Sequence, residues 1–231
     1  MGYEMFRNMN IKLKFLKVKS VPKLFWSSPS ASTVRPPLIS VFILILGLFL
    51  FGLGEALLIS SGIGVSPWTV FAQGVKNITG WSIGFATFII SIFVMILWVP
   101  LRQMPGFGTI MNIIIIALVL DLVLPFLPKF NHLSLKIAEG LIGVIITGLG
   151  GALYLIANLG PGPRDGLMTG MQKVTNFPIA WVRSTIELLV VAIGWSLGGV
   201  AGIGTLFFAF GIGPSLAASL YGLQCAFETK R

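Results

Sequence analysis

The sequence predicts an all-α polytopic membrane protein with about six transmembrane helices and two short half-helices, arranged as two inverted-topology repeats. Hydrophobic residues make up 55% of the 231 residues and charged residues only 10%, with a mean hydropathy of +0.95. Soluble domains have about a quarter charged residues, so a soluble globular protein is excluded. Six apolar segments also have the length of a membrane span, and one half of the chain aligns with the other.

Residues 1–37 are predicted to form a cationic cytoplasmic tail and linker. Seven of the 16 Lys and Arg residues lie in the first 35 positions, so the net charge of +9 is largely an end effect. The remaining basic residues are scattered between apolar runs, which excludes the contiguous basic face that nucleic acid needs. We expect the tail to contact anionic lipid headgroups, either as a flexible topology signal or as a regulatory, partner-binding segment. The first apolar run begins near Pro37, too late for a cleaved signal peptide, so we expect the mature protein to retain it.

The apolar segments that follow fall into two classes. Two of them, 67–78 and 163–174, are too short to cross about 30 Å of hydrocarbon, and each follows a Gly/Pro turn directly after a longer segment. We predict that these are half-helices or interfacial helices. Their turns and first residues contain Gly64, Pro67, Gly160, Gly162 and Pro163. The predicted spans are 38–61, 81–99, 108–127, 137–158, 178–197 and 204–223.

An internal repeat relates the two halves of the chain. A shift of 96 residues aligns 52–118 with 148–214 without a gap, and 15 of the 67 aligned pairs are identical. The alignment matches the two short segments and the two Gly-x-Gly-Thr turns, in which Thr109 or Thr205 is predicted to be the N-cap. Apolar composition alone would not place these features in register. We therefore predict a duplication, with repeat 1 at 38–135, repeat 2 at 136–223 and a C-terminal tail at 224–231.

The topology follows from the number of crossings in each repeat. Three crossings is an odd number, so the second copy enters the membrane from the opposite side and the repeats are related by a pseudo-two-fold axis in the membrane plane. With the N-terminus in the cytoplasm, 12 of the 16 Lys and Arg residues lie inside and 3 outside. Basic residues favour the cytoplasmic side, so we expect both termini there.

The second short segment contains a family signature. Residues 158–167 read Asn-Leu-Gly-Pro-Gly-Pro-Arg-Asp-Gly-Leu, and the Gly-Pro-Arg-Asp-Gly sequence within them resembles that of the bacterial YczE/YitT-type integral membrane proteins. The resemblance extends over about 38–223, including Gly-Ile-Gly-Val-Ser-Pro-Trp at 62–68, and leaves out the tail. It implies a small polytopic protein of the bacterial inner membrane and assigns neither a substrate nor a reaction.

The start of this segment has two interpretations. Proline at the first helical position leaves the next backbone amides pointing out of the positive end of the helix, beside Arg164, as an anion site requires. Alternatively, Asp165 in the first turn caps those amides itself and the turn is structural. The first copy has the capping hydroxyl of Ser66 but neither charge, so the two segments are not expected to bind the same ligand.

Five acidic or basic residues lie inside the predicted spans. Asp121 and Glu139 are near the predicted outer ends, where we interpret them as interfacial residues that snorkel. Glu55, Arg183 and Glu187 are predicted to be deeper, with Arg183 and Glu187 one helical turn apart on one face. Charged groups in hydrocarbon usually face a bundle interior or a cavity. One interpretation is that Arg183 and Glu187 form a structural ion pair near Glu55. The alternative is that the three residues form a substrate-binding or proton-coupling site.

An enzyme is not expected. His132 is the one histidine and Cys225 the one cysteine, and no cluster of His, Cys or carboxylates has the spacing of a metal site. The frame of a serine nucleophile elbow is absent as well. We therefore predict no catalytic residue, no metal and no cofactor.

Two functional classes remain. A secondary-transporter-like or permease-like protein for a small, possibly anionic, solute fits the inverted repeats, the half-helices and the buried charges. A non-transporting membrane accessory or scaffold protein fits the small size. For a transporter, the predicted substrate-binding residues are Glu55, Arg164, Asp165, Arg183 and Glu187. The sequence does not indicate an oligomeric state.

Overall fold

The structure is a computed structural model that describes residues 21–33 and 35–227. Most of the predicted cationic tail and the last residues of the C-terminal tail lie outside the described residues. The predicted all-α class is confirmed, and a short 3₁₀ turn, Leu124–Phe126, follows the fourth helix. The α-helices of the described part are α1 Leu38–Ser61, α2 Pro67–Thr79, α3 Ile83–Ile96, α4 Phe107–Val123, α5 Leu133–Ala157, α6 Pro163–Thr175, α7 Ile179–Ser196 and α8 Ile203–Phe227.

Five helices in the described part of the chain are long and apolar enough to cross a membrane: α1, α4 with its 3₁₀ turn, α5, α7 and α8. A sixth span exists only if α2 and α3, bent by 112° at their junction, are counted as one broken span. The predicted span 81–99 is thus shorter than expected. Its helix α3 has 14 residues, about 21 Å at 1.5 Å per residue. The chain turns before Pro100, which has no amide hydrogen to continue the helical ladder and disfavours a helical conformation in the preceding residue.

Helices α1 and α5 pack closely in the centre of the molecule because both have glycines at the contact. A Cβ atom built on Gly54 would lie 2.5 Å from the carbonyl oxygen of Gly143, and one on Gly150 would lie 2.5 Å from that of Gly47. No side chain fits at these positions. Such close backbone approach is typical of helix pairs in membranes, where small residues form the interface.

Turns and helix starts recur with the predicted spacing of 96 residues. Helices α2 and α6 begin at Pro67 and Pro163, and the corresponding helices after them also begin 96 residues apart. A reciprocal pair of backbone bonds joins the halves: Gly108 N–H donates to Leu159 O at 2.6 Å, and Gly204 N–H donates to Ile63 O at 2.9 Å. The described residues with a positive φ also occur in pairs that are 96 positions apart. The pairs are Gly62 with Asn158, Gly64 with Gly160, Gly80 with Asn176, and Arg102 with Gly198.

The two halves differ in how their last two helices pack. Helix α3 packs along α4, where the Asp121 carboxylate accepts hydrogen bonds from Ser82 Oγ at 2.5 Å and Gly84 N at 2.8 Å, at the start of α3. The corresponding helices α7 and α8 do not pack along each other. Asp121 therefore anchors α3.

Glu139 does not snorkel as predicted, because it is only 5% exposed and neither carboxylate oxygen has a hydrogen-bond partner among the described residues.

Candidate functional site

A cavity of about 110 Å³ lies where the amino ends of α2 and α6 meet. Its volume is sufficient for several water molecules or a small solute. Helices from both halves form its walls. The polar and charged residues among its lining are Thr87, Ser91, Asn112, Thr147, Tyr154, Arg164, Asp165, Arg183 and Glu187, and the apolar ones include Phe51, Pro67, Trp68, Ile116, Pro163, Phe208 and Ile212.

Much of the lining follows the 96-residue spacing between the two halves of the chain. Many of its residues occur in pairs separated by 96 positions, so the cavity lies at the boundary between the halves. Only the second half supplies charge: the counterparts of Arg183 and Glu187 on α3 are Thr87 and Ser91. The pairs in which both members line the cavity are 51 with 147, 67 with 163, 68 with 164, 87 with 183, 91 with 187, 112 with 208 and 116 with 212.

Local sequence explains how the start of α6 is held at the cavity. Gly160 has a φ of 118°, a left-handed conformation that glycine adopts without strain, and Pro163 begins the helix. The carbonyl oxygen of Pro163 accepts a hydrogen bond of 2.9 Å from the indole of the buried Trp98. Thr109 Oγ donates to Pro161 O at 2.8 Å and accepts from Gly106 N at 3.0 Å.

Two predictions about helix caps are wrong. Thr109 and Thr205 are not N-caps, because each is the third residue of its helix and its hydroxyl accepts from the N-cap amide, at Gly106 or Gly202. Ser66 is the N-cap residue of α2, but its hydroxyl makes no cap bond. It is directed instead to a carboxylate, which sequence spacing alone does not reveal.

Asp165 does not cap α6. The N-cap of this helix is Gly162, and no side chain in the described part of the chain accepts a hydrogen bond from the first amides. Asp165 Oδ2 instead accepts a bond of 2.5 Å from the Tyr154 hydroxyl of α5. The geometry therefore does not support the self-capped interpretation.

Arg164 is half-buried and stacks on the ring of Trp68, with its guanidinium carbon 5.4 Å from the ring centroid. Within the described residues it forms no ion pair. Its position in the first turn of α6 places a cation at the positive end of a helix dipole, an unfavourable arrangement of about 0.3 to 1 kcal/mol that a bound anion would reverse.

The predicted pair of Arg183 and Glu187 is confirmed, with Arg183 Nε 2.9 Å from Glu187 Oε1. The predicted depth of this pair in the membrane stays a prediction. Within the protein, the Arg183 side chain is 46% exposed and that of Glu187 19% exposed. The reason is that α7 stands away from α8 and leaves one face of α7 open.

Glu55 lies apart from the other predicted site residues. It is 1% exposed and does not line the cavity. Its Oε2 accepts hydrogen bonds of 2.7 Å from the hydroxyls of Ser66 and Thr69 on α2. The structure thus joins Glu55 to α2, whereas Arg183 pairs with Glu187.

The structure brings Arg164, Asp165, Arg183 and Glu187 to one cavity. Sequence reasoning missed Tyr154 as the partner of Asp165, and it missed the cavity residues Thr87 and Ser91. The repeat alignment contained a signal for the last two, since they are hydroxyl residues in an apolar segment that align with Arg183 and Glu187. Two uncapped helix amino ends beside guanidinium groups can bind an anion. The described residues include no group of three or more His, Cys, Asp or Glu side chains that could hold a metal ion.

Comparison with known proteins gives a family and no activity. Residues 38–219 match the model of a family of unknown function, DUF6198. An uncharacterized protein of Haemophilus influenzae is 42% identical over 197 residues, which cover 85% of this chain and 89% of the relative. The uncharacterized membrane protein YczE of Bacillus subtilis is 31% identical over 176 residues, 75% of this chain and 82% of the relative. The resemblance to YczE-type proteins is confirmed, and no solved structure matches the chain.

Proposed function

The chain belongs to the family of unknown function DUF6198, and from the geometry of its cavity we propose that it is a permease for a small anion in the bacterial inner membrane. One observation gives this proposal its main support. The uncapped amino ends of α2 and α6 open on the same cavity, beside Arg164 and Arg183. Helix amino ends and guanidinium groups both favour negative charge, whereas the two cavity carboxylates are already bonded, to Tyr154 and to Arg183.

The proposal includes inverted topology, with both termini in the cytoplasm. The recurrence of helix starts and positive φ angles at a spacing of 96 residues supports a duplication, and the reciprocal bonds of Gly108 and Gly204 support an exchange symmetry between the halves. Transporters with inverted repeats bind their solutes at the repeat interface, often at the ends of discontinuous helices. The cavity of this chain occupies the equivalent place.

The difference in packing between the halves supports alternating access. Helix α3 packs along α4, whereas α7 stands away from α8. If the halves exchange conformations, α3 separates from α4 while α7 closes on α8. The cavity would then open on the other side of the membrane, as transport by rigid-body movement of one repeat against the other requires.

Uptake into proteoliposomes tests the permease. The purified full-length protein is reconstituted and tested with radiolabelled nitrate, bromide, sulfate and acetate, with protein-free liposomes as the blank. We expect at least one of these anions to accumulate faster than in the blank, and unlabelled anion in excess to compete. Equal uptake with and without protein for every anion would overturn the proposal.

A non-transporting accessory protein is the alternative, and the open side of α7 favours it. Only 11% of the residues of this helix are buried, so a helix of another membrane protein has room to pack there. Affinity purification from cross-linked membranes distinguishes the two functions. An accessory protein yields one stoichiometric membrane partner, and the isolated chain gives no uptake.

A double substitution tests whether the ion pair of α7 belongs to the site. Arg183→Met alone leaves Glu187 without its cation and should lower stability, whereas Arg183→Met with Glu187→Met should recover much of the loss. We expect the stable double variant to lose anion uptake, because the cavity then has one guanidinium fewer. Full uptake by this variant would show that the pair only fastens the helix.

A further inference from the structure

Glu55 forms a buried polar cluster that the proposed anion site does not use. The side chain is 1% exposed, and both hydroxyl donors, from Ser66 and Thr69, are directed to its Oε2. Its Oε1 is buried and has no hydrogen-bond partner among the described residues, which also provide no ion pair for this carboxylate. A buried carboxylate oxygen without a hydrogen-bond partner is costly, so this side chain calls for a functional explanation.

The cluster is attached to the helix end that forms the cavity wall. Ser66 is the N-cap of α2 and Thr69 lies in its first turn, while Pro67 and Trp68 between them line the cavity. Arg164 stacks on Trp68 from the cavity. Glu55 and a bound anion would therefore lie on opposite sides of one helical turn. The positive end of α2 and the positive charge of Arg164 would attract the negative charge of both.

We propose that Glu55 is the proton-binding site that couples proton movement to anion movement through the cavity, an inference that rests on the proposed permease function. An anion at the amino end of α2 adds negative charge close to Glu55 and so favours its protonation. The proton binds to Oε1 and gives a neutral carboxylic acid, while Oε2 still accepts both hydroxyl bonds. Proton and monovalent anion are then taken up together and released together, so the transported unit has no net charge.

Linkage requires the coupling to be reciprocal: protonation of Glu55 strengthens anion binding by the same factor as the anion strengthens proton binding. The other titratable or charged groups around α1 have assigned partners or serve as controls. Asp121 anchors α3, and Asp165 is bonded to Tyr154. Glu187 is paired with Arg183, and Arg164 stacks on Trp68. Glu139 of α5 is a second buried carboxyl without a hydrogen-bond partner and does not line the cavity, so it is the matched control.

Nitrate binding to the purified protein in detergent tests the coupling, because nitrate keeps its charge over the range used. We expect the wild-type protein to bind nitrate about 5- to 150-fold more tightly at about pH 5 than at about pH 8, the range of typical coupling energies. Glu55→Gln, an isosteric and permanently neutral side chain, should bind with the acid-pH affinity of the wild type at both pH values. Glu139→Gln should retain the wild-type pH dependence. Wild-type pH dependence in Glu55→Gln would overturn the inference.

Two further measurements separate this inference from the permease proposal. In proteoliposomes an inward proton gradient should drive nitrate uptake by the wild type but not by Glu55→Gln, which should still exchange internal for external nitrate. Infrared difference spectra of the protein without anion should show a carboxyl band that appears on acidification and is missing in Glu55→Gln. If no anion binds but this band titrates, the permease proposal fails while Glu55 is still shown to exchange protons. If an anion binds and the band does not titrate, the coupling inference alone fails.

Discussion

Replacing Arg164 by alanine should remove anion binding while leaving the fold nearly intact. The described partner of this guanidinium is the Trp68 ring at 5.4 Å, and a cation–π contact contributes about 0.5 to 2 kcal/mol to stability. The same cation lies at the positive end of α6, where its removal regains about 0.3 to 1 kcal/mol. We therefore expect the free energy of unfolding to fall by no more than about 1.7 kcal/mol.

The expected loss of affinity is larger than the loss of stability. A hydrogen bond to a charged partner contributes about 1.5 to 3 kcal/mol, which corresponds to a 10- to 150-fold weaker affinity at about 1.4 kcal/mol per factor of ten. Equilibrium binding of radiolabelled nitrate to the purified protein measures this loss, and thermal unfolding of the same samples measures stability. Lys173→Ala is the matched control, since it removes a positive charge from the exposed carboxyl end of the same helix.

Two results would refute this reasoning. If Arg164→Ala does not fold or insert, Arg164 is structural and its role at the cavity is not the binding of an anion. If the variant folds and binds nitrate as tightly as the wild type, the anion does not contact Arg164. Arg164→Lys should fall between the two, because it retains the charge but not the planar, forked donors.

Three further predictions concern topology, packing and backbone strain. Cysteines introduced at His132 and Gln172 in a cysteine-free background should react with a membrane-impermeant thiol reagent from outside and inside respectively, and labelling of both from one side would contradict the inverted repeat. Gly166→Ala should lower stability by about 1 to 3 kcal/mol in chemical denaturation, because its Cβ would overlap the indole of the buried Trp98; an unchanged midpoint would show that the two segments are not packed together. Arg102→Gly should leave stability unchanged or raise it by up to about 1 kcal/mol, because Arg102 has a φ of 51°; a loss above about 1 kcal/mol would mean that its side chain makes a stabilising contact.

The half-helices could be predicted from the sequence almost to the residue. Segments 67–78 and 163–174 were expected, and Pro67–Thr79 and Pro163–Thr175 are observed. Proline at the first helical position and the preceding glycine turn are local signals, so they do not depend on the rest of the fold. The pair of Arg183 and Glu187 was predictable for the same reason, since four residues is one helical turn.

The contacts of the cavity could not be predicted in this way. Tyr154 meets Asp165, and Glu55 meets Ser66, only because α5 and α1 pack against the starts of α6 and α2. The length of α3 could not be predicted either. The apolar segment continues to residue 99 although the helix ends at Ile96, and hydropathy does not distinguish a helix from an apolar turn.

The position of a bound anion tests the central claim most directly. Crystals of the full-length protein grown with bromide, a monovalent anion with strong anomalous scattering, would show where anions bind. We predict an anomalous peak in the cavity between the amino ends of α2 and α6, in contact with Arg164 and absent in crystals of Arg164→Ala. Bromide peaks only at the protein surface, with the cavity empty, would contradict the assignment of this cavity as the anion site.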